Sequence, residues 1–232
     1  MTVVITGASQ GIGRAIALAY ASSPGTGVAL LARNRANLES VADECRQRGA
    51  RALVVECDVT DEAQVGLAER RVREALGAVD VLVNNAGVFS PGSFLEITPV
   101  AFRQQVEVNL TSAFLVTRAF LPAMLEAGAG DVVFMASVAS TRGYPGGAAY
   151  GAAKHGLLGL ARTLREETKE HGVRVITLLP GATLTPSWDG VDLPPARLMP
   201  PDAIAQTVLA ATSLPRTAVL EELLIRPQLG DV

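Results

Sequence analysis

Tyr150 and Lys154, in the run Tyr150-Gly151-Ala152-Ala153-Lys154, stand four residues apart. On a helix that spacing places a phenol and an ammonium on one face. Free tyrosine titrates near pH ~10, so a cation beside it that favours the phenolate eases proton exchange at neutral pH; about 1.4 kcal/mol of preference moves the titration by one pH unit. Such a pair also arises by chance, and by itself it only permits acid/base chemistry.

A second group of residues suits phosphate. Thr6-Gly7-Ala8-Ser9-Gln10-Gly11-Ile12-Gly13 follows an apolar run and precedes the helix-forming Arg14-Ala15-Ile16-Ala17-Leu18-Ala19. Glycines let a backbone turn tightly and approach a pyrophosphate, which free N–H groups and the positive end of the helix dipole then stabilise. A glycine turn before a helix can also be purely structural. Here the spacing is Gly-x-x-x-Gly-x-Gly rather than the commoner Gly-x-Gly-x-x-Gly.

In dinucleotide folds an acidic residue at the tip of the second strand bonds a ribose 2′-hydroxyl, whereas an arginine there accommodates a 2′-phosphate. The second strand ends Leu30-Leu31-Ala32-Arg33-Asn34-Arg35, without a carboxylate. Arg33 offers a planar, permanently charged fork, which predicts NADP(H) over NAD(H), with NAD(H) still possible. The competing reading of Arg33 is a solvated loop charge.

These groups need a scaffold. Runs rich in β-branched residues at Thr2–Thr6, Val28–Ala32, Ala52–Val55, Val79–Val83, Asp131–Met135 and Val173–Leu178 read as strands. Between and after them, helical patterns run over Gly11–Ser22, Ala36–Arg48, Asp61–Leu76, Val100–Glu126, Ala148–His171 and Pro201–Ser213. Alternating strands and helices, with strands apolar throughout, predict an α/β fold: a doubly wound, Rossmann-like parallel sheet with helices on both faces. The glycine loop then falls at the carboxyl end of the first strand, where such sheets bind ligands. A proline-rich substrate loop is expected at about 186–201, and Val219–Ile225 reads as an added strand.

At 232 residues the chain suits one domain, residues 1–232. A net charge of −3 with dispersed Lys and Arg argues against a nucleic-acid partner. Cys45 and Cys57 lack metal or redox spacing and read as reduced packing residues, and no metal site is expected. The sequence opens on the apolar run Thr2 to Ile5 without a signal-like leader, and shows no uninterrupted apolar stretch of membrane-spanning length. A cytoplasmic protein without a membrane partner is expected.

Taken in order, the glycine loop, Asn84-Asn85-Ala86-Gly87 after the fourth strand, Asn109, Ser137 after the fifth strand, Tyr150 with Lys154, and Pro180-Gly181 after the sixth resemble the short-chain dehydrogenase/reductase family. The resemblance covers the chain to about Pro186. It implies an oxidoreductase that interconverts a small-molecule carbonyl and an alcohol by hydride transfer, through a tetrad of Asn109, Ser137, Tyr150 and Lys154. In that tetrad Tyr150 is the general acid/base, and Ser137 holds and polarises the substrate oxygen. Lys154 bonds the nicotinamide ribose and shifts the tyrosine, and Asn109 supports a water linked to the lysine.

The resemblance also implies cofactor contacts from Gly7, Ser9, Gln10, Gly11, Ile12, Gly13 and Arg33, and from Asp58 and Val59 at the adenine. Asn85, Ala86 and Gly87 would line the cleft, and Pro180, Gly181, Thr183 and Thr185 the nicotinamide end. Thr183 departs from the family, where an aliphatic residue is usual; turn chemistry is the bland reading of Asn84, Asn85 and Pro180. A homodimer or homotetramer is implied, and an NADP preference would favour reduction.

Other residues are ambiguous. Trp188 fits a lid or plain packing, Tyr144 and Arg142 fit substrate contact or solvent, and His155 and His171 have no metal pattern. Two rival functions are an epimerase or dehydratase of the longer branch, whose extra domain and Gly-x-x-Gly-x-x-Gly loop are not seen here, and a non-catalytic dinucleotide-binding regulator or scaffold. The ending Glu221–Val232 departs from the glycine-rich ending of the acyl-carrier-protein ketoreductases.

Overall fold

The apolar runs become β1 (Thr2–Thr6), β2 (Gly27–Ala32), β3 (Arg51–Glu56), β4 (Val81–Asn84), β5 (Gly130–Met135), β6 (Val173–Pro180) and β7 (Glu222–Ile225). In this computed structural model, which describes residues 1–230, they form one parallel sheet in the order β3-β2-β1-β4-β5-β6-β7. Every residue of β1, β4, β5 and β6 is buried. That is why these strands read as continuous apolar runs rather than alternating ones.

Helices α1 (Gly11–Ala21), α2 (Arg35–Gln47), α3 (Glu62–Leu76), α4 (Pro99–Val106), α5 (Ser112–Ala127), α6 (Ala148–Thr168) and α7 (Pro201–Thr212) cover both faces. Successive strand side chains point to opposite faces. Val3 and Ile5 accordingly join the core under α1, α2 and α7, while Val4 joins the one under α3, α5 and α6.

The expected helix over Val100–Glu126 is α4 and α5 joined through a π turn at Glu107–Thr111. By length and mean hydropathy alone this Pro99–Ala127 stretch is long and apolar enough to cross a membrane. Gln104, Glu107 and Arg118 interrupt the apolar run, which hides it from a search for uninterrupted ones. In the fold its Val116, Phe120 and Met124 are buried in the core beneath the sheet.

At the amino ends of the strands, Arg174 donates to both carboxylate oxygens of Asp131, at 2.7 and 2.8 Å. It also reaches the carbonyls of Thr212, Leu214 and Ala218, which ties the loop between α7 and β7 to the sheet. At the other end, the chain runs from β1 outward through β2 to β3, then crosses to β4 on the far side of β1. A crevice opens where the connections diverge.

Candidate active site

That crevice is a cavity of about 1210 Å3, and every residue expected from the sequence to be catalytic or cofactor-binding lines it except Gly13. Gly13 lies beneath the loop. A Cβ there would come within 2.6 Å of Asn85 Nδ2 and closer still to Gly7 O. Gly7, at φ +64°, would place a Cβ 2.9 Å from Ala86 Cα, so the β1 and β4 turns meet only because it is glycine.

Helices α2, α3 and α4 begin on Asn34, Asp61 and Thr98, whose side chains accept from the first-turn amides. Among the described residues no side chain caps the start of α1, where Gln10 has extended backbone. The first amides of α1 therefore face the crevice without a side-chain acceptor, the arrangement that stabilises an anion.

Thr6, which opens the glycine run but was given no role from the sequence, ties the two turns together. Its Oγ1 accepts from Asn85 N at 2.9 Å and Ala86 N at 3.0 Å, while Asn85 Nδ2 donates to Thr6 O at 2.9 Å. A polar residue ending an otherwise apolar strand was the available signal. Asn84 turns away from the crevice and donates to Thr117 Oγ1 at 2.8 Å.

At the β2 tip, Arg33 is exposed and makes no ion pair among the described residues, whereas Arg35 pairs with Glu39 at 3.2 Å. Opposite, Asp58 accepts from Thr60 N at 3.0 Å and Thr60 Oγ1 at 2.7 Å, and these bonds hold its carboxyl below the usual range. The buried thiols of Cys45 and Cys57 are pushed up to about 11 by desolvation, as inert packing residues.

On the crevice floor, Ala139 N donates to Ser137 Oγ at 3.1 Å, and the Ser137 hydroxyl lies close enough to the Tyr150 phenol to favour its phenolate. Lys154 Nζ lies 5.6 Å from the Tyr150 ring centroid. It donates to Met135 O at 2.8 Å, the single acceptor among the described residues for three ammonium hydrogens. Burial pushes Lys154 down from 10.5 to about 8, and burial raises Tyr150, which the Ser137 hydrogen bond only partly offsets. Desolvation, not the lysine expected from the sequence, thus sets the direction for the phenol.

Asn109 sits in the π turn, buried, with Nδ2 donating to Val88 O and Gln105 O, both at 2.9 Å. Its Oδ1 accepts from Val88 N at 3.2 Å. Gln105, also absent from the sequence motifs, makes a similar pair with Ser90, donating to its carbonyl at 2.8 Å and accepting from its amide at 3.3 Å. Two buried amide side chains four apart were its only signal. Together they clip Val88–Ser90 against the helix beside Gly87, where a Cβ would fall 2.7 Å from Asn109 Oδ1.

Thr183 is buried and donates to Gly181 O at 3.0 Å; Thr185 stands over the phosphate loop, 3.2 Å from where a Cβ on Gly11 would be. The proline-rich loop is tied at its base by Leu184 N to Met199 O, 2.8 Å, and Met199 N to Ala182 O, 2.9 Å. Trp188, Tyr144 and Arg142 all line the cavity.

The family model for short chain dehydrogenases matches residues 1–193. The chain belongs to that family. Over 99% of its length this short-chain dehydrogenase is 35% identical to a sepiapterin reductase of Chlorobaculum tepidum, covering 97% of that protein. It superposes with a TM-score of 0.92 on an alcohol dehydrogenase from the archaeon Thermococcus sibiricus complexed with 5-hydroxy-NADP, at 34% identity over 98% of this chain and 96% of the other. A metagenomic short-chain oxidoreductase in complex with NADP gives a TM-score of 0.87 at 35% identity, over 98% and 97% of the two chains. This short-chain dehydrogenase is an oxidoreductase, and its crevice fits a dinucleotide: a glycine-lined cradle, an uncapped helix start, and a buried ammonium with donors to spare.

Proposed function

We propose that this protein interconverts a small-molecule carbonyl and its alcohol with NADP(H), with Tyr150 as general acid/base. One observation carries the reading: the phenol of Tyr150, beside Ser137 and backed by Lys154, sits in the same crevice as the start of α1, which its N-cap side chain leaves uncapped.

When bound, NADPH supplies a hydride, two electrons and one proton, to the carbonyl carbon, leaving NADP. Tyr150 gives the carbonyl oxygen its proton; burial keeps the phenol protonated at neutral pH, which suits reduction. Ser137 accepts from Ala139 N, which leaves its hydroxyl hydrogen available for the substrate oxygen. Lys154 would offer its remaining donors to the ribose, and Asn109 fixes the backbone of Val88 nearby. Gly7, Ser9, Gln10, Gly11 and Ile12 would bring backbone to the pyrophosphate, with Gly13 shaping the turn beneath. Asp58 and Val59 would flank the adenine, Asn85, Ala86 and Gly87 the central wall, and Pro180, Gly181, Thr183 and Thr185 the nicotinamide.

Arg33 supports NADP(H) over NAD(H), since it is exposed at the β2 tip and, although its charge is felt by Asp58, forms no ion pair among the described residues. The two NADP-containing structural relatives favour the same cofactor. Family resemblance alone supports a cytoplasmic homodimer or homotetramer, whose mass light scattering would read.

NADPH oxidation with a panel of ketones and aldehydes tests the reading. Tyr150→Phe is expected to lose at least about a hundredfold in kcat, the low end of general acid contributions. A Tyr150→Phe protein as fast as the parent contradicts the assigned role.

A further inference from the structure

The chain has 28 leucines and ten aromatic residues, yet no leucine lines the crevice, whereas Phe89, Tyr144, Tyr150 and Trp188 all do. Among the described residues, Ile12 and Met135 are the only large aliphatic ones in its lining, and the rings of Phe89 and Tyr144 are the ones that gather at the reactive phenol. Phe89 meets the Tyr150 ring edge-on, with centroids 5.1 Å apart at 74°, and lies 6.5 Å from the Tyr144 ring at 47°.

This wall is braced from two sides. The Tyr144 ring lies on Gly147, where a Cβ would fall 2.5 Å from Tyr144 Cζ, so any larger residue would displace it. Gly92 N donates to Gly146 O at 3.0 Å, which joins the Phe89 segment to the Tyr144 segment. Yet Phe89 and Tyr144 each remain 37% exposed, and Trp188, from a third segment, is half-buried. Ring faces held open in a concavity gain from covering by another flat, apolar group, through stacking as well as area. An aliphatic chain would gain only the area.

We propose that the substrate carries its carbonyl on or next to a flat aromatic ring, which packs against Phe89 and Tyr144 and is reached by Trp188. The proposal rests on the reductase reading above.

Acetophenone and cyclohexyl methyl ketone have the same carbon skeleton, one ring flat and the other puckered. Conjugation makes acetophenone the slower electrophile, so a preference for it measures binding. With saturating NADPH, kcat/KM for acetophenone is expected to exceed that for the saturated ketone by about tenfold. Phe89→Leu and Tyr144→Leu should each erase most of that ratio, chiefly through KM. Trp188 is the sole tryptophan, so its emission provides a second readout that needs no turnover. In the complex with NADP, acetophenone should quench it saturably and cyclohexyl methyl ketone should not.

Equal or better reduction of the saturated ketone, a ratio unchanged in both variants, or no saturable quenching by acetophenone would each overturn the proposal. If neither ketone turns over, the quenching decides. Failure of the parent to bind NADPH would instead sink the reductase reading.

Discussion

Asn109 pairs with Val88 as one peptide unit pairs with another, Nδ2 giving to the carbonyl at 2.9 Å and Oδ1 taking from the amide at 3.2 Å. Asn109→Asp keeps the size but turns a carboxylate towards two buried carbonyls, of Val88 and Gln105. The expected loss is about 3 kcal/mol at pH 7.5, or roughly 6 °C or more in Tm. The introduced carboxyl would have its folded-state pKa raised, so its stability is present at low pH and lost as pH rises through that value. Melting at pH 5 and 7.5 checks this: the gap to the parent should narrow at pH 5.

Lys154 costs stability. Its pKa falls from 10.5 to about 8 on burial, a penalty of about 3 kcal/mol at neutral pH, offset in part by its bond to Met135 O. Between about 8 and 10.5 the unfolded chain holds more protons, so this penalty is full below that window and fades as pH rises through it. Lys154→Met is therefore expected to lose turnover and to melt above the parent at pH 7, with the difference shrinking by pH 10. Paired melts at the two pH values decide it.

Asp131 faces Arg174 in a buried, two-bond ion pair and also accepts from Arg216 at 2.7 Å. Asp131→Ala strands a buried guanidinium and is expected to cost about 3–5 kcal/mol. Glu222→Gln, which breaks the exposed pair with Arg162, should cost about 1 kcal/mol or less. Urea unfolding of both variants provides the comparison, and similar losses would refute it.

Glycines divide by what a Cβ would meet. Gly66, inside α3, has only Arg70 Nη1 at 3.9 Å, so Gly66→Ala should stabilise the protein by about 1 kcal/mol, or roughly 2–4 °C. Gly13→Ala, whose methyl would strike Gly7 O and Asn85 Nδ2, should lower Tm and weaken NADPH binding together. Thermal melts and an NADPH titration read both.

The strands were legible because burial on both faces writes them as uninterrupted apolar runs, and the phosphate loop because its glycines cannot be replaced without collision. Tyr150 and Lys154 were legible through helical spacing. The π turn was not, since Glu107-Val108-Asn109-Leu110-Thr111 has no residue that marks an extra-wide turn. Thr6 and Gln105 act through backbone partners brought near only by the sheet, and Phe89 stands in a loop without periodicity. Burial also reversed the expected direction for Tyr150, because desolvation depends on neighbours that spacing does not reveal.

Parallel fluorescence titrations with NADPH and NADH, on the parent and on Arg33→Ala, reach the central claim most directly. NADPH should bind the parent about tenfold tighter or more, about 1.4 kcal/mol, and Arg33→Ala should remove most of that margin. NADH binding as tightly as NADPH would contradict the cofactor assignment, and binding of neither would contradict the oxidoreductase reading of the crevice.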